Sequence, residues 1–152
     1  QDFGAYKLQD GPFNEMLGAR ADSKEEVRDF LGQIIGQSTK LPVIDPQRAT
    51  LTIVGSRSHK TAELEAYVEE KRKACGDVEF ISAGSSLKIC LVAEGRADVY
   101  PRLGPTMEWD TAAGQAIAEY AGASVYEYDT SKPLIYNKED LHNPWFIVQR
   151  DF

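Results

Sequence analysis

Four short runs carry side chains whose types and spacing suit the handling of an anion and a cation. Trp109-Asp110-Thr111-Ala112-Ala113-Gly114 puts a carboxylate at a helix start, where free N–H groups and the dipole favour its ionised form. Asp at such a position either holds a cation or serves as an ordinary N-cap, and the pattern leaves both readings open. Trp109 reads as a packing residue rather than a site wall. Ser56-Arg57-Ser58-His59 directly follows an apolar run. It offers two hydroxyls, a guanidinium and an imidazole at a strand end, where open α/β sheets bind ligands. His59 there either stacks on or hydrogen-bonds a ligand, or is a solvated loop residue. Gly84-Ser85-Ser86-Leu87-Lys88 turns from strand into helix, and its backbone N–H groups plus a lysine one turn in can hold a phosphate. No Walker-type loop is present. Tyr100-Pro101-Arg102 sets Arg102 after a strand, able to grip a phosphate bidentately or to form a surface salt bridge.

Elements of definite spacing must position these runs. Gly4 to Leu8 reads as a short strand end before a Gly11-Pro12 turn. Ser23 and Glu26 form a capping box, each side chain satisfying a backbone N–H at a helix start. Val27, Phe30, Leu31, Ile34 and Ile35 then make one continuous apolar face, ended by Gly36. Gln37 to Arg48, with Pro42 and Pro46, reads as a connection. From Ala49 strands and helices alternate. Leu51 to Val54 is a strand, and Thr61 caps a helix with Leu64, Tyr67 and Val68 inward, closed by Gly76. Val78 to Ile81 is the next strand; Ser85 to Glu94 is the next helix, with Leu87, Cys90 and Leu91 inward. Ala97 to Tyr100 is a third strand, and a third helix begins near Asp110 and stops at Gly122. Ala112, Ala113, Ala116, Ile117, Tyr120 and Ala121 give that helix a stripe of mostly small residues, suited to close approach to its sheet. Strands at Val125 to Tyr128 and Phe146 to Val148 follow. The alternation predicts an α/β layered domain with helices covering a sheet.

Charge and composition narrow the partners. The 152 residues carry 17 Lys and Arg against 24 Asp and Glu, a net charge of −7. That balance argues against binding a nucleic acid polymer, which needs clustered cations. It leaves room for a small phosphorylated ligand met by a few local cations. No stretch approaches the roughly 20 apolar residues of a membrane helix. Gln1-Asp2-Phe3-Gly4 lacks the basic region and apolar core of a signal peptide and has no initiator Met, so the chain reads as a piece of something longer. Cys75 and Cys90 fall in helical segments and are expected as buried, reduced thiols, which points to the cytoplasm.

GSSLKICLVAEG at Gly84 to Gly95 and ADVYPRLGPTMEWDTAAG at Ala97 to Gly114 closely resemble the CysQ-type 3′(2′),5′-bisphosphate nucleotidases of the inositol-monophosphatase-like superfamily. WDTAAG matches the second signature of these metal-dependent phosphatases. SRSH at Ser56 to His59 and SSLK at Ser85 to Lys88 are similar to the bisphosphate-nucleotide branch rather than the inositol branch. The resemblance is strong from Leu51 to Gly122 and extends through Asn143-Pro144-Trp145-Phe146. It also accounts for Gly4-Ala5-Tyr6-Lys7-Leu8, a run that follows the family's first signature.

The resemblance implies the layered αβαβα sugar-phosphatase fold, with this chain as its C-terminal α/β part. Residues 1–48 would be the tail of the N-terminal phosphatase domain plus a connecting helix, and residues 49–152 the C-terminal domain. It implies Mg²⁺-dependent conversion of adenosine 3′,5′-bisphosphate to AMP and phosphate by a cytoplasmic protein, with peripheral membrane association left open. Asp110 would be a metal ligand, Lys88 and Arg102 cations for phosphate, His59 a neighbour of the base and Ser85 a hydrogen-bond donor. Arg57 receives no role. The partners implied are the nucleotide and the missing N-terminal domain.

One departure counts as much as the match. The family's first signature, Asp-Pro-x-Asp-Gly-Thr, and the Glu before it supply most metal ligands and orient the attacking water, and neither is in this chain. Ile44-Asp45-Pro46-Gln47-Arg48-Ala49 puts Arg48 and Ala49 where Asp and Gly belong and reads as a loop Asp-Pro. The chain alone is therefore expected to be inactive and to hold no catalytic residue. A phosphatase of inositol or sugar phosphates, and a non-catalytic binding module, are the alternatives.

Overall fold

The computed structural model describes residues 4–8, 22–56 and 61–150. Strand β1 (Tyr6–Lys7) pairs antiparallel with β2 (Thr39–Lys40), and helix α1 (Lys24–Gly36) lies between them in sequence. The capping box of α1 is present: the Glu26 N–H donates to Ser23 Oγ at 3.1 Å, and the Ser23 N–H donates to Glu26 Oε2 at 3.2 Å. Its apolar face has no cover among the described residues, leaving Val27, Leu31 and Ile35 exposed. The β1–β2 pair rests on the rest of the chain through Ala5, whose N–H donates to the Tyr120 carbonyl at 3.2 Å, and a small cluster of Ala5, Leu41, Ala93 and Ala121. Asp45 accepts the Gln47 N–H at 2.9 Å in an exposed turn, as a loop Asp-Pro does.

The remaining elements form one layered unit. They are β3 (Leu51–Gly55), α2 (Ala62–Cys75), β4 (Val78–Ser82), α3 (Leu87–Glu94), β5 (Val99–Arg102), α4 (Glu108–Tyr120), β6 (Ser124–Glu127) and β7 (Phe146–Gln149). The sheet order is β4-β3-β5-β7-β6, with β3 parallel to β4 and β5 and antiparallel pairing from β5 onward through β7. Side chains alternate between faces, and the core divides accordingly. Leu51, Ile53, Val99 and Ile147 pack with Leu64, Tyr67 and Val68 of α2. Val54, Tyr100, Val125, Phe146 and Val148 pack with Ile89, Leu91 and Val92 of α3 and Ala118 of α4. This is the α/β layering expected from the alternation.

The buried ends of the central strands are tied by charge. Asp98, just before β5, accepts the Thr52 N–H at 2.8 Å and pairs with Arg48. Buried Arg150 follows β7, its N–H donating to the Asp98 carbonyl at 2.9 Å.

Several expectations are corrected. Cys75 is exposed and Cys90 half-buried, so the buried-thiol argument for a compartment falls. Leu87 points to solvent, and α3 buries Lys88, Ile89, Leu91, Val92 and Ala93 instead. On α4 the stripe of Ala112, Ala113, Ala116, Ile117 and Tyr120 faces away from the sheet. Thr111, Gly114, Gln115 and Ala118 face inward. Here Gly114 matters: a Cβ would stand 2.9 Å from Ile89 Cδ1, so a larger residue would have to push the Ile89 side chain aside. Strand β2 was read as connection, being too short for its alternation to register.

Candidate active site

The carboxyl ends of β3, β4 and β5 open onto one cavity of about 600 Å³. Ser56 follows β3, Gly84 to Ser86 follow β4, and Arg102 ends β5. The starts of α3 and α4 face the same space, so three of the runs and Ser56 of the fourth meet there, as ligand sites at parallel strand ends do.

Lys88 enters from the first turn of α3 and is only 4% exposed. Its Nζ donates to the Ser85 carbonyl at 2.8 Å and lies 5.3 Å from the Tyr100 ring centroid. Among the described residues no carboxylate pairs with it. Burial, and then the neighbouring Arg102 charge, lower the Lys88 pKa from its ordinary 10.5. Arg102 shares the inward face of β5 with Tyr100 by two-residue spacing. Its Nη2 donates to the Pro105 carbonyl at 2.7 Å, while its Nε is buried with no hydrogen-bond partner among the described residues. Burial raises the Tyr100 phenol to about 12 against the pull of the Arg102 charge, so Tyr100 is a neutral platform. Among the described residues neither of these two neighbouring cations has a carboxylate counter-ion. Ser85 is exposed beside them at φ +49, a left-handed conformation that an L-residue adopts at some cost.

Asp110 stands across the cavity. The helix begins at Glu108, with Met107 as its N-cap, so Asp110 is the third helical residue and not the cap. Its Oδ2 accepts the Met107 N–H at 2.9 Å, and Oδ1 makes no hydrogen bond among the described residues. The N-cap reading is thus corrected: Asp110 is the third helical residue, and it ties back to the N-cap backbone through one oxygen. Trp109, read as a packing residue, is instead 66% exposed and lines the cavity. Arg57 and His59 lie outside the described residues.

Behind α4 a loop locks this corner. Glu108 accepts the Asn137 N–H at 2.7 Å and pairs with Lys138, and Tyr136 donates to Gln115 Oε1 at 2.6 Å. Sequence reasoning assigned no role to Tyr100 or Asn143, although the Tyr-x-Arg spacing on a strand placed Tyr100 on the site face.

For a metal, the donor chemistry fits in part. No group of three or more His, Cys, Asp or Glu that could hold an ion exists among the described residues. Asp110 is the one carboxylate among the cavity's lining residues, and Mg²⁺ is commonly held by one or two carboxylates together with substrate phosphates.

Parallel strand ends, and a cavity lined by Lys88, Arg102 and Asp110 with no carboxylate paired to either cation among the described residues, belong to a layered α/β domain. The chain belongs to the inositol monophosphatase family, whose sequence profile matches residues 13–147. It is 52% identical over 97 residues to the 3′(2′),5′-bisphosphate nucleotidase CysQ of Escherichia coli (strain K12), covering 63% of this chain and 37% of that protein. The CysQ of Shigella flexneri is 48% identical over 110 residues, covering 72% and 42%. The crystal structure of CysQ from Bacteroides thetaiotaomicron, a bacterial member of the family, matches with a TM-score of 0.75 and 58% identity. That match covers 79% of this chain and 44% of that one. The chain thus spans about four-tenths of the relatives it matches. These likenesses bear out the resemblance carried by GSSLKICLVAEG and WDTAAG.

Proposed function

We propose that this chain is the C-terminal part of a Mg²⁺-dependent 3′(2′),5′-bisphosphate nucleotidase that converts adenosine 3′,5′-bisphosphate to AMP and phosphate. In this reading residues 1–48 end an N-terminal phosphatase domain and residues 49–152 form the nucleotide-binding domain. Asp110 holds one Mg²⁺ through its free oxygen. Lys88 and Arg102 meet phosphate, Ser85 donates a hydrogen bond and His59 lies near the base. Bound Mg²⁺ supplies charge neutralisation at the phosphoryl oxygens and an activated water. The chain's own residues bind and orient the nucleotide; turnover needs carboxylates that its sequence does not contain. The outward stripe of α4 and the uncovered face of α1 leave room for the proposed N-terminal domain.

The observation that carries the reading is the pair of cations, Lys88 and Arg102, without a carboxylate partner in the cavity that Asp110 also lines. A bisphosphate nucleotide has a second phosphate, remote from the reacting one, whose charge needs such a pair. Lys88→Met and Arg102→Met in the full-length protein are expected to lower kcat/KM for adenosine 3′,5′-bisphosphate roughly ten- to hundred-fold, one charge-assisted contact being worth about 1.5–3 kcal/mol. A substrate with a single phosphate should suffer much less. Equal losses on both substrates would favour an inositol or sugar phosphatase.

A pH effect follows from the lowered Lys88 pKa. The free site releases the Lys88 proton below the ordinary 10.5, and a bound phosphate pulls that pKa back up. Affinity should therefore fall as pH rises through the lowered value, and binding there should take up a proton. Calorimetry of nucleotide binding in two buffers of different ionisation enthalpy measures that uptake. Identical heats in both, across the alkaline range, would contradict it.

A further inference from the structure

We propose that Tyr100 is a positioning residue for Lys88, its ring carrying the lysine ammonium at the wall of the cavity. The inference rests on the phosphate-binding reading of Lys88. Both residues line the cavity, and Lys88 is only 4% exposed. Lys88 Nζ stands over the Tyr100 ring, 5.3 Å from its centroid. That lies within the roughly 6 Å at which an ammonium is drawn to the negative face of an aromatic ring, an attraction that grows when the groups are desolvated. The other partner of the ammonium is the Ser85 carbonyl at 2.8 Å, a neutral acceptor. Among the described residues this is its one hydrogen bond, and no carboxylate pairs with it. An ammonium has three N–H donors, so two remain for a ligand.

The ring is held by the sheet rather than by the lysine. Tyr100 is 5% exposed and packs in the core with Val54, Ile89 and Phe146. Phe146 on β7, itself 1% exposed, meets the ring edge-to-face, with centroids 6.0 Å apart and planes at 88°. Strands β5 and β7 are paired here, Tyr100 opposite Val148 and Arg102 opposite Phe146. A lysine stem of four carbons is flexible by contrast, so a fixed ring and a fixed carbonyl together decide where its charge sits. The ring acts through its face and not as a phenolate, because burial raises the phenol pKa to about 12. It also favours the charged ammonium against burial and the Arg102 charge, which both lower the Lys88 pKa. A tyrosine that serves only the core contributes volume. One that positions Lys88 contributes the charge distribution of its ring, and the two roles separate on that property.

The experiment replaces Tyr100 in the full-length protein with phenylalanine carrying no, one, two or three ring fluorines. Fluorine drains the negative face of the ring and changes its volume little. Calorimetry without Mg²⁺ reads adenosine 3′,5′-bisphosphate affinity independently of turnover. Relative to Tyr100→Phe, affinity is expected to fall stepwise, by about tenfold with three fluorines. In the unliganded protein the Lys88 pKa, followed by NMR of ¹³C-labelled lysine, should fall in the same order. In a Lys88→Met background the affinity series should flatten to less than about twofold. An affinity and a Lys88 pKa indifferent to fluorine would make Tyr100 a core residue and overturn the proposal. A slope that persists in Lys88→Met would mean that the ring meets the nucleotide itself, which overturns it equally. If Lys88→Met alone leaves affinity unchanged, the phosphate-binding reading of Lys88 fails, and the proposal that rests on it falls for that separate reason.

Discussion

Asn in place of Asp110, in the full-length protein, is expected to cut turnover of adenosine 3′,5′-bisphosphate by roughly a hundred- to thousand-fold while leaving the melting temperature nearly unchanged. The two oxygens of Asp110 explain the separation. Oδ2 accepts the Met107 N–H, and an asparagine side-chain carbonyl can accept the same bond. In the proposed reading the other oxygen takes the cation, and there Asn offers a neutral amide where a hard cation needs a carboxylate oxygen. A catalytic metal is worth several kcal/mol of transition-state stabilisation, and each 1.36 kcal/mol is tenfold in rate. Phosphate release at saturating Mg²⁺, with a thermal melt of the same preparations, checks both halves. A falling melting temperature at constant specific activity would return Asp110 to a purely capping role.

What the residues disclosed in advance was local, and what they concealed depended on which surfaces meet. The capping box at Ser23 and Glu26 was legible because both partners lie three residues apart. The packing of α1 was not, since its stripe has no cover among the described residues and periodicity names a face without naming its partner. On α3, apolar residues at Leu87, Ile89, Cys90, Leu91 and Val92 encircle much of the helix, so spacing alone chose Leu87 as inward when Ile89 and Val92 are. The alanines of α4 misled for a related reason. Small residues allow close approach to any neighbour, and here the close approach is made by Gly114 against Ile89.

At the cavity, Lys88 and Arg102 were singled out by turn and strand-end positions, whereas the absence of a carboxylate partner for either among the described residues needed the three-dimensional neighbourhood. Trp109 was assigned to packing on residue type, and only its exposure at the cavity places it in the wall. The hydrogen bonds of Asn143 to the start of α4 span 32 to 37 residues of chain, which no local pattern encodes.

The largest expected effect on stability lies away from the cavity, at Asp98. Its carboxylate pairs with Arg48 and accepts the Thr52 N–H, while its own backbone bridges Thr52 of β3 and Arg150 after β7. Burial lowers the Arg150 pKa, the Asp98 charge raises it, and the Arg48 charge lowers it again. The Asp98 carboxylate pairs with Arg48 and its charge also acts on the nearby Arg150. Asp98→Asn keeps the shape and an acceptor for Thr52 but removes the negative charge that offsets these two cations. Breaking a buried pair by deleting one partner typically costs about 3–5 kcal/mol, which in a domain of this size lowers the melting temperature by on the order of 10 °C. Removing Arg48 as well, in Asp98→Asn/Arg48→Met, should recover part of the loss, because the repulsion between Arg48 and Arg150 then disappears. Urea denaturation of the wild type, both single variants and the double variant gives the coupling directly. If the two losses simply added, charge would not be what ties these strand ends, and the backbone bonds of Asp98 would have to carry them.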